Sequence, residues 1–153
     1  MADTYSHITI HGLFAVKLRE NFITSVWRDR LHHYIYGIIA NKDAKSLAVG
    51  GWSDHVHILF GMPVTTTIAD LMRDVKANSS KWINDQGFVK GKFQWQEGYG
   101  AFSCSRSQRD MVINYIINQE EHHREKSFKE EYTKMLNDFE VPYDTKYLFD
   151  FYE

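Results

Sequence analysis

The stretch Lys45-Ser46-Leu47-Ala48-Val49-Gly50-Gly51-Trp52-Ser53-Asp54-His55-Val56-His57-Ile58-Leu59-Phe60 reads as two strands and a tight connection. Lys45 to Val49 is short, built of β-branched or small residues, and runs into Gly50-Gly51. The apolar run beginning at Asp54 follows at once and ends at Gly61-Met62-Pro63. Strands this close in sequence pair as an antiparallel hairpin. Because side chains alternate across a strand, His55 and His57 project from the same face with their imidazoles side by side. Two imidazoles on one rigid element make half of a divalent-metal site. An exposed polar face carries the same spacing, so spacing alone leaves both readings open.

The flanking segments supply the rest of a sheet. Ser6 to Lys17 alternates, with Ile8, Ile10, Phe14 and Val16 on one side and His7, Thr9 and His11 on the other, which predicts a strand. From Asn21 to Ile39 the apolar positions Ile23, Trp27, Leu31, Tyr34, Ile35 and Ile38 recur at helical spacing. After the hairpin, Thr65-Thr66-Thr67 offers capping hydroxyls to a second helix marked by Ile68, Leu71, Met72, Val75 and Trp82. Phe93 to Glu97 is aromatic and irregular, and Tyr99 to Ser105 reads as a fourth strand. Ser107 and Asp110 resemble a capping box opening a third helix over about 108–123, and Phe128 to Phe139 forms a further short helix before an acidic tail. The order β-α-β-β-α-β, then helices, predicts an α+β fold of the ferredoxin-like (RRM-like) type. Its antiparallel four-stranded sheet carries two helices on one face, with a further helix towards the C-terminus carrying Tyr115.

With 153 residues, 43% hydrophobic and 15% aromatic, the chain has material for the core of one domain over 1–153, with 127–153 as a C-terminal helix and acidic tail. Cys104 is the single cysteine, which excludes an internal disulfide and a thiolate-rich zinc site. Met1 to His7 lacks the basic start and apolar stretch of a signal peptide, and no run is long enough to cross a bilayer, so the expectation is a cytoplasmic protein without membrane contact. Net charge is −2, yet residues 127–153 carry three lysines against seven acids, leaving about +2 on the remainder. Basic residues gather at Arg73, Lys76, Lys81, Lys90 and Lys92, and again at Arg106, Arg109, Arg124 and Lys126, a distribution compatible with a polyanion or with ordinary solvated faces.

The third helix adds chemistry. Val112, Ile113, Ile116 and Ile117 form its apolar stripe, with Tyr115, Gln119 and His122 along one flank. A tyrosine beside an apolar stripe is ordinarily core-edge packing with a wet hydroxyl. A cation held by two histidines and one further ligand keeps positions open for substrate, and a nearby tyrosine can then attack a phosphodiester that the cation neutralises. Oxygen-rich ligation suits Mg²⁺ or Mn²⁺, and imidazole pulls the preference towards Mn²⁺.

His55-Val56-His57, Trp95-Gln96-Glu97-Gly98-Tyr99-Gly100-Ala101-Phe102 and Tyr115-Ile116-Ile117-Asn118-Gln119-Glu120-Glu121-His122-His123, in this order, resemble the single-tyrosine transposases of the HUH superfamily. These are the insertion-sequence and REP-associated enzymes, and the likeness runs from the first strand to the third helix. It implies that Tyr115 attacks a phosphate of single-stranded DNA, giving a 5′-phosphotyrosine and a free 3′-hydroxyl. It implies further that His55, His57 and Gln119 hold Mg²⁺ or Mn²⁺, that the chain forms a homodimer, and that it binds hairpins at element ends.

Other residues are read more loosely. Lys76, Lys81, Lys90, Lys92 and Arg106 either contact DNA backbone or lie on solvated faces. His122 is an auxiliary ligand or proton relay, whereas His7, His11, His32, His33 and His123 are read as structural. Phe93, Trp95, Tyr99 and Phe102 stack bases or pack the core, with packing favoured. Two other functions share the pattern. One is a non-catalytic single-stranded nucleic-acid binder on the same frame, which has no use for His-x-His and Tyr-x-x-x-Gln together. The other is a domesticated host DNA-nicking relative, which genome context separates from a mobile element.

Overall fold

The computed structural model describes residues 2–152. Four strands, β1 (Thr9–Ala15), β2 (Lys45–Gly51), β3 (His55–Gly61) and β4 (Gly100–Cys104), form one antiparallel sheet in the order β2-β3-β1-β4. Helix α1 (Arg28–Ala40) links β1 to β2, and β3 fills the place between them; α2 (Ile68–Gln86) links β3 to β4. This is the split βαβ arrangement expected from the sequence. Thr67 caps α2 by accepting from the Asp70 N–H at 3.0 Å, and Gly87 ends it in the left-handed region at φ 69°.

Alternation along the two central strands divides the molecule into layers. Ile10 and Phe14 of β1 and Val56, Ile58 and Phe60 of β3 pack with Leu31, Ile35, Ile39, Leu71, Met72 and Val75 of α1 and α2. The intervening residues turn to the other face, where α3 (Arg109–Ile117), α4 (Gln119–His122) and α5 (Phe128–Asp138) lie. The two helices expected on one face are α1 and α2. The second face is covered as well, because Leu13, Ala15 and Phe102 are apolar on that side and need a partner, which Phe128, Tyr132 and Leu136 of α5 provide.

Three expectations about the third helix change. The third helix is not continuous over 108–123: a 3-10 turn at Arg106–Gln108 precedes α3, and Asn118, at φ −97° and ψ 30°, separates α3 from α4. No side chain caps α3, so the Ser107–Asp110 box does not form. Ile117 is 63% exposed and leaves the packed stripe, while Ile116 is fully buried against Ala48 and Leu59. Among the aromatics, Phe93, Trp95 and Phe102 are buried, and Trp95 donates its indole N–H to Ser79 Oγ at 3.0 Å. Packing is their use. The acidic tail is anchored: the Asp150 backbone exchanges two hydrogen bonds with the Gln96 carboxamide, at 2.7 and 2.9 Å, and Phe149 is buried on α5. Among the described residues, no helix is long and apolar enough to cross a membrane.

Gly50 governs how closely α3 approaches the sheet. A Cβ there would lie 2.1 Å from the Ile116 carbonyl oxygen, so only glycine admits this helix onto β2. The residue before Ile116 is Tyr115.

Candidate active site

Strand β3 places His55 and His57 on the α3–α5 side, fully buried. The sequence gives each imidazole an outer partner. His55 Nδ1 lies 2.7 Å from Asp54 Oδ1, and His57 Nδ1 lies 2.8 Å from His11 Nε2. Both Nε2 atoms thereby face the same point. Helix α4 brings Gln119 there, with Oε1 3.0 Å from His55 Nε2. Its amide nitrogen donates to the Tyr115 carbonyl at 3.3 Å. Tyr115 lies with its ring 5.8 Å from that of His57, in the same chain. All four residues singled out for chemistry in the sequence are thus brought together.

Two residues read as structural belong to this cluster. His11 backs His57, and His123 Nε2 lies 3.0 Å from Gln119 Oε1. Strand pairing explains the first: β1 runs beside β3, so His11 shares the face of the histidine pair. Helical spacing explains the second, since His123 follows Gln119 by one turn. His122 is exposed, its ring 4.6 Å from that of Tyr115.

Glu131 was not singled out by the sequence reading. Its Oε1 lies 2.9 Å from His57 Nε2, 3.2 Å from His55 Nε2 and 3.5 Å from His123 Nε2, and its Oε2 accepts the Tyr115 hydroxyl. A signal for it existed. Phe128, Glu131, Tyr132 and Leu136 form the buried stripe of α5, and a carboxylate on such a stripe calls for a partner.

Electrostatics follow from burial and the carboxylate. Burial pushes the Glu131 carboxyl up, but His57 and the hydrogen bonds from His123 and His55 outweigh it and hold the group far below the usual range. Burial works against His55, yet its bonds to Asp54 and Glu131 prevail and raise it to about 9. Burial lowers His57 despite Glu131, and burial together with His57 lowers His11 to about 3. The Tyr115 phenol is pushed well above its ordinary value by burial first and then by the Glu131 charge.

This donor set fits a hard or borderline divalent cation. His55, His57 and Glu131 each offer a ligand atom, all within 4.8 Å of one another. Neighbouring ligands around an ion with ~2.1 Å bonds stand about 3 Å apart, close to the separations found here. The outer contacts of Asp54 and His11 fix both imidazoles with Nε2 inward, as metal-bound histidines require. Two imidazoles, a carboxylate and a carboxamide, without thiolate, are nitrogen and oxygen donors that suit a divalent cation.

The predicted DNA-contacting residues lie elsewhere. Lys76 donates to the carbonyls of Gln96 and Gly98, at 2.7 and 2.8 Å. Lys81 pairs with Asp85 at 2.7 Å on the surface. Lys92, Lys90 and Arg106 are exposed, and Lys17, Lys76, Lys81 and Lys92 line one open groove beside α2, on the far side of the sheet from Tyr115.

Residues 4–119 match the family model described as Transposase IS200 like. A candidate transposase from Deinococcus radiodurans has the same fold, with a TM-score of 0.61 and 22% identity over 78% of this chain and 95% of that one. A REP-associated tyrosine transposase bound to a REP hairpin matches with a TM-score of 0.56 and 14% identity, over 100% of this chain and 94% of that one. No curated protein matches. With its family model spanning the sheet, both crossover helices and the Tyr115–Gln119 pair, this chain belongs to the IS200-like transposase family.

Proposed function

We propose that the chain nicks and rejoins single-stranded DNA at hairpin-bearing element ends through a 5′-phosphotyrosine intermediate. The observation that carries this reading is the convergence of Tyr115 with His55, His57 and Gln119 in one buried cluster of a transposase-family chain. Tyr115 Oη is the nucleophile. It loses its proton and forms the new bond to phosphorus while the bond from phosphorus to the 3′ oxygen breaks, and that oxygen takes up a proton and leaves as the hydroxyl. Attack by another strand's 3′-hydroxyl on the phosphotyrosine reverses the exchange, so strands rejoin without external energy.

His55, His57 and Gln119, with Glu131, hold the divalent ion, which when bound supplies positive charge to the scissile phosphate. Asp54 and His11 keep the two imidazoles aimed inward. The cleft at the open end of the site is lined by Tyr115, Asn118, His122 and Lys126, with Glu121, Glu125 and the Lys134–Asp138 ion pair at its wall, and here the strand enters. Lys17, Lys81 and Lys92 on the groove beside α2 contact the hairpin backbone, with Arg106 as a separate phosphate contact. The acting form is a homodimer. A purely nucleic-acid-binding module of RNA-recognition type is disfavoured, because such modules read bases on an open sheet face and both faces of this sheet are covered.

The test is incubation with hairpin-bearing single-stranded DNA and Mn²⁺, followed by denaturing electrophoresis. A covalent protein–DNA adduct absent in Tyr115→Phe is expected. An adduct that survives this substitution puts the nucleophile elsewhere.

A further inference from the structure

We infer that Glu131 is a positioning residue that joins the nucleophile to the metal site, its Oε1 facing the two histidines and its Oε2 holding the Tyr115 hydroxyl. This rests on the reading of Tyr115 as nucleophile, and it assigns a role to a residue outside the His-x-His and Tyr-x-x-x-Gln motifs.

The geometry argues for it in three ways. First, Glu131 is only 6% exposed on the packed stripe of α5, where an ionised carboxylate is expensive unless paired. Its two oxygens meet three imidazoles and one phenol, so each oxygen has a separate set of partners. Second, α5 is fixed in place at this point. Phe128 stacks flat on His55, at 4.1 Å between ring centroids and 4° between planes, and Ser127 caps the helix by accepting from the Glu130 N–H. The carboxylate therefore sits on a rigid element rather than on a loop. Third, Tyr115 stands on a helix whose approach is set by Gly50, so the phenol arrives from one side and the carboxylate from the other. A hydroxyl held by one oxygen of a carboxylate, whose other oxygen lies against the ligand histidines, is kept beside the ion's position before substrate enters. Orientation of this kind is where enzymes gain much of their rate. Filling the ion's place and placing the nucleophile are then linked events.

The test uses the full chain and two variants, Glu131→Gln and Glu131→Asp. In Glu131→Gln, Mn²⁺ binding measured by calorimetry weakens by about 10-fold or more. Single-turnover adduct formation stays at least about 10-fold slow even at saturating Mn²⁺, while hairpin affinity is unchanged. Glu131→Asp recovers Mn²⁺ binding better than adduct rate, because the shorter side chain keeps a ligand oxygen but withdraws from Tyr115. Ring-¹³C tyrosine labelling gives a readout free of activity: the Tyr115 resonance, assigned by its loss in Tyr115→Phe, shifts on Mg²⁺ addition in the parent chain and not in Glu131→Gln.

Full recovery of the adduct rate at saturating Mn²⁺ in Glu131→Gln makes Glu131 a ligand alone and overturns the inference. So does unchanged Mn²⁺ binding. If both variants lose their cooperative melting transition, Glu131 serves only the fold, and the inference also falls. Should the parent chain form no adduct at all, the nicking function fails, while calorimetry and the Tyr115 resonance still decide whether Glu131 links metal and phenol.

Discussion

His11 Nε2 lies 2.8 Å from His57 Nδ1, and this buried contact leaves His57 Nε2 facing Glu131 at 2.9 Å. The pair has two settings. While His57 Nε2 donates to Glu131, Nδ1 accepts from His11; when Nε2 gives its lone pair to a cation, Nδ1 donates and His11 accepts. His11→Ala removes the partner in either setting and leaves the His57 ring free to turn. Mn²⁺ affinity in calorimetry is expected to fall ~10- to 100-fold, the usual effect of losing the group that orients a metal-bound histidine. An unchanged affinity shows that packing alone holds the ring.

Gly50→Ala tests whether the approach of α3 sets the nucleophile. The added methyl would meet the Ile116 carbonyl oxygen at 2.1 Å, and backbone on both sides leaves nothing flexible to yield. The helix must retreat from β2. Overpacking of this kind costs about 1–3 kcal/mol, seen as a lower denaturation midpoint. Because Tyr115 precedes Ile116, the adduct rate is expected to fall while hairpin affinity is kept. A lowered midpoint with a normal adduct rate separates the helix's packing from the placing of its tyrosine.

The side chain of Lys76 is engaged within the fold. Its Nζ holds two loop carbonyls, those of Gln96 and Gly98, and burial lowers its pKa from the ordinary lysine value. Gln96 in turn anchors Asp150, so the lysine braces the junction between the fourth strand's approach and the C-terminal segment. Lys76→Met is expected to destabilise by about 1–2 kcal/mol, read as a melting shift of ~5 °C, without altering the salt dependence of hairpin binding. Lys92→Met, at an exposed position in the same groove, is expected to do the reverse and lower the salt slope by about 1. Equal effects on melting from both lysines refute the distinction.

These residues show what sequence can and cannot reveal. His55 and His57 were legible because strand alternation is local: two positions apart means one face. Helical spacing is local too and puts Tyr115 and Gln119 on one flank, while their proposed roles come from the family resemblance. The hairpin followed from a short connection, and the split βαβ frame from the order of the elements. His11 and Glu131 were hidden for one reason. Their proximity depends on which strands become neighbours and where a late helix docks, and neither is written within one element. The break at Asn118 was hidden because continuous helical periodicity runs through it. Lys76 misleads because a lysine on a polar flank looks solvated until the opposing carbonyls are known.

His32 gives the fold a pH dependence of its own. Its Nε2 is buried with no hydrogen-bond partner among the described residues. Burial is the main cause that brings its pKa down from 6.5 to about 4; Asp29 opposes, and Arg28, His33 and His55 add to the lowering. The unfolded chain takes up a proton as pH falls below about 6.5, whereas the folded chain resists until near 4, so acid favours unfolding across that window. The contribution of His32 is therefore fully present above pH 6.5 and is lost progressively as pH falls. Between pH 7 and pH 5 the loss is ~1–2 kcal/mol, allowing for the ring's partial exposure. His32→Asn removes this linkage while keeping a polar side chain of modest size. Denaturation midpoints measured at pH 7 and pH 5 are expected to converge in the variant relative to the parent. An identical drop in both chains shows that other buried groups, His11 among them, carry the acid sensitivity.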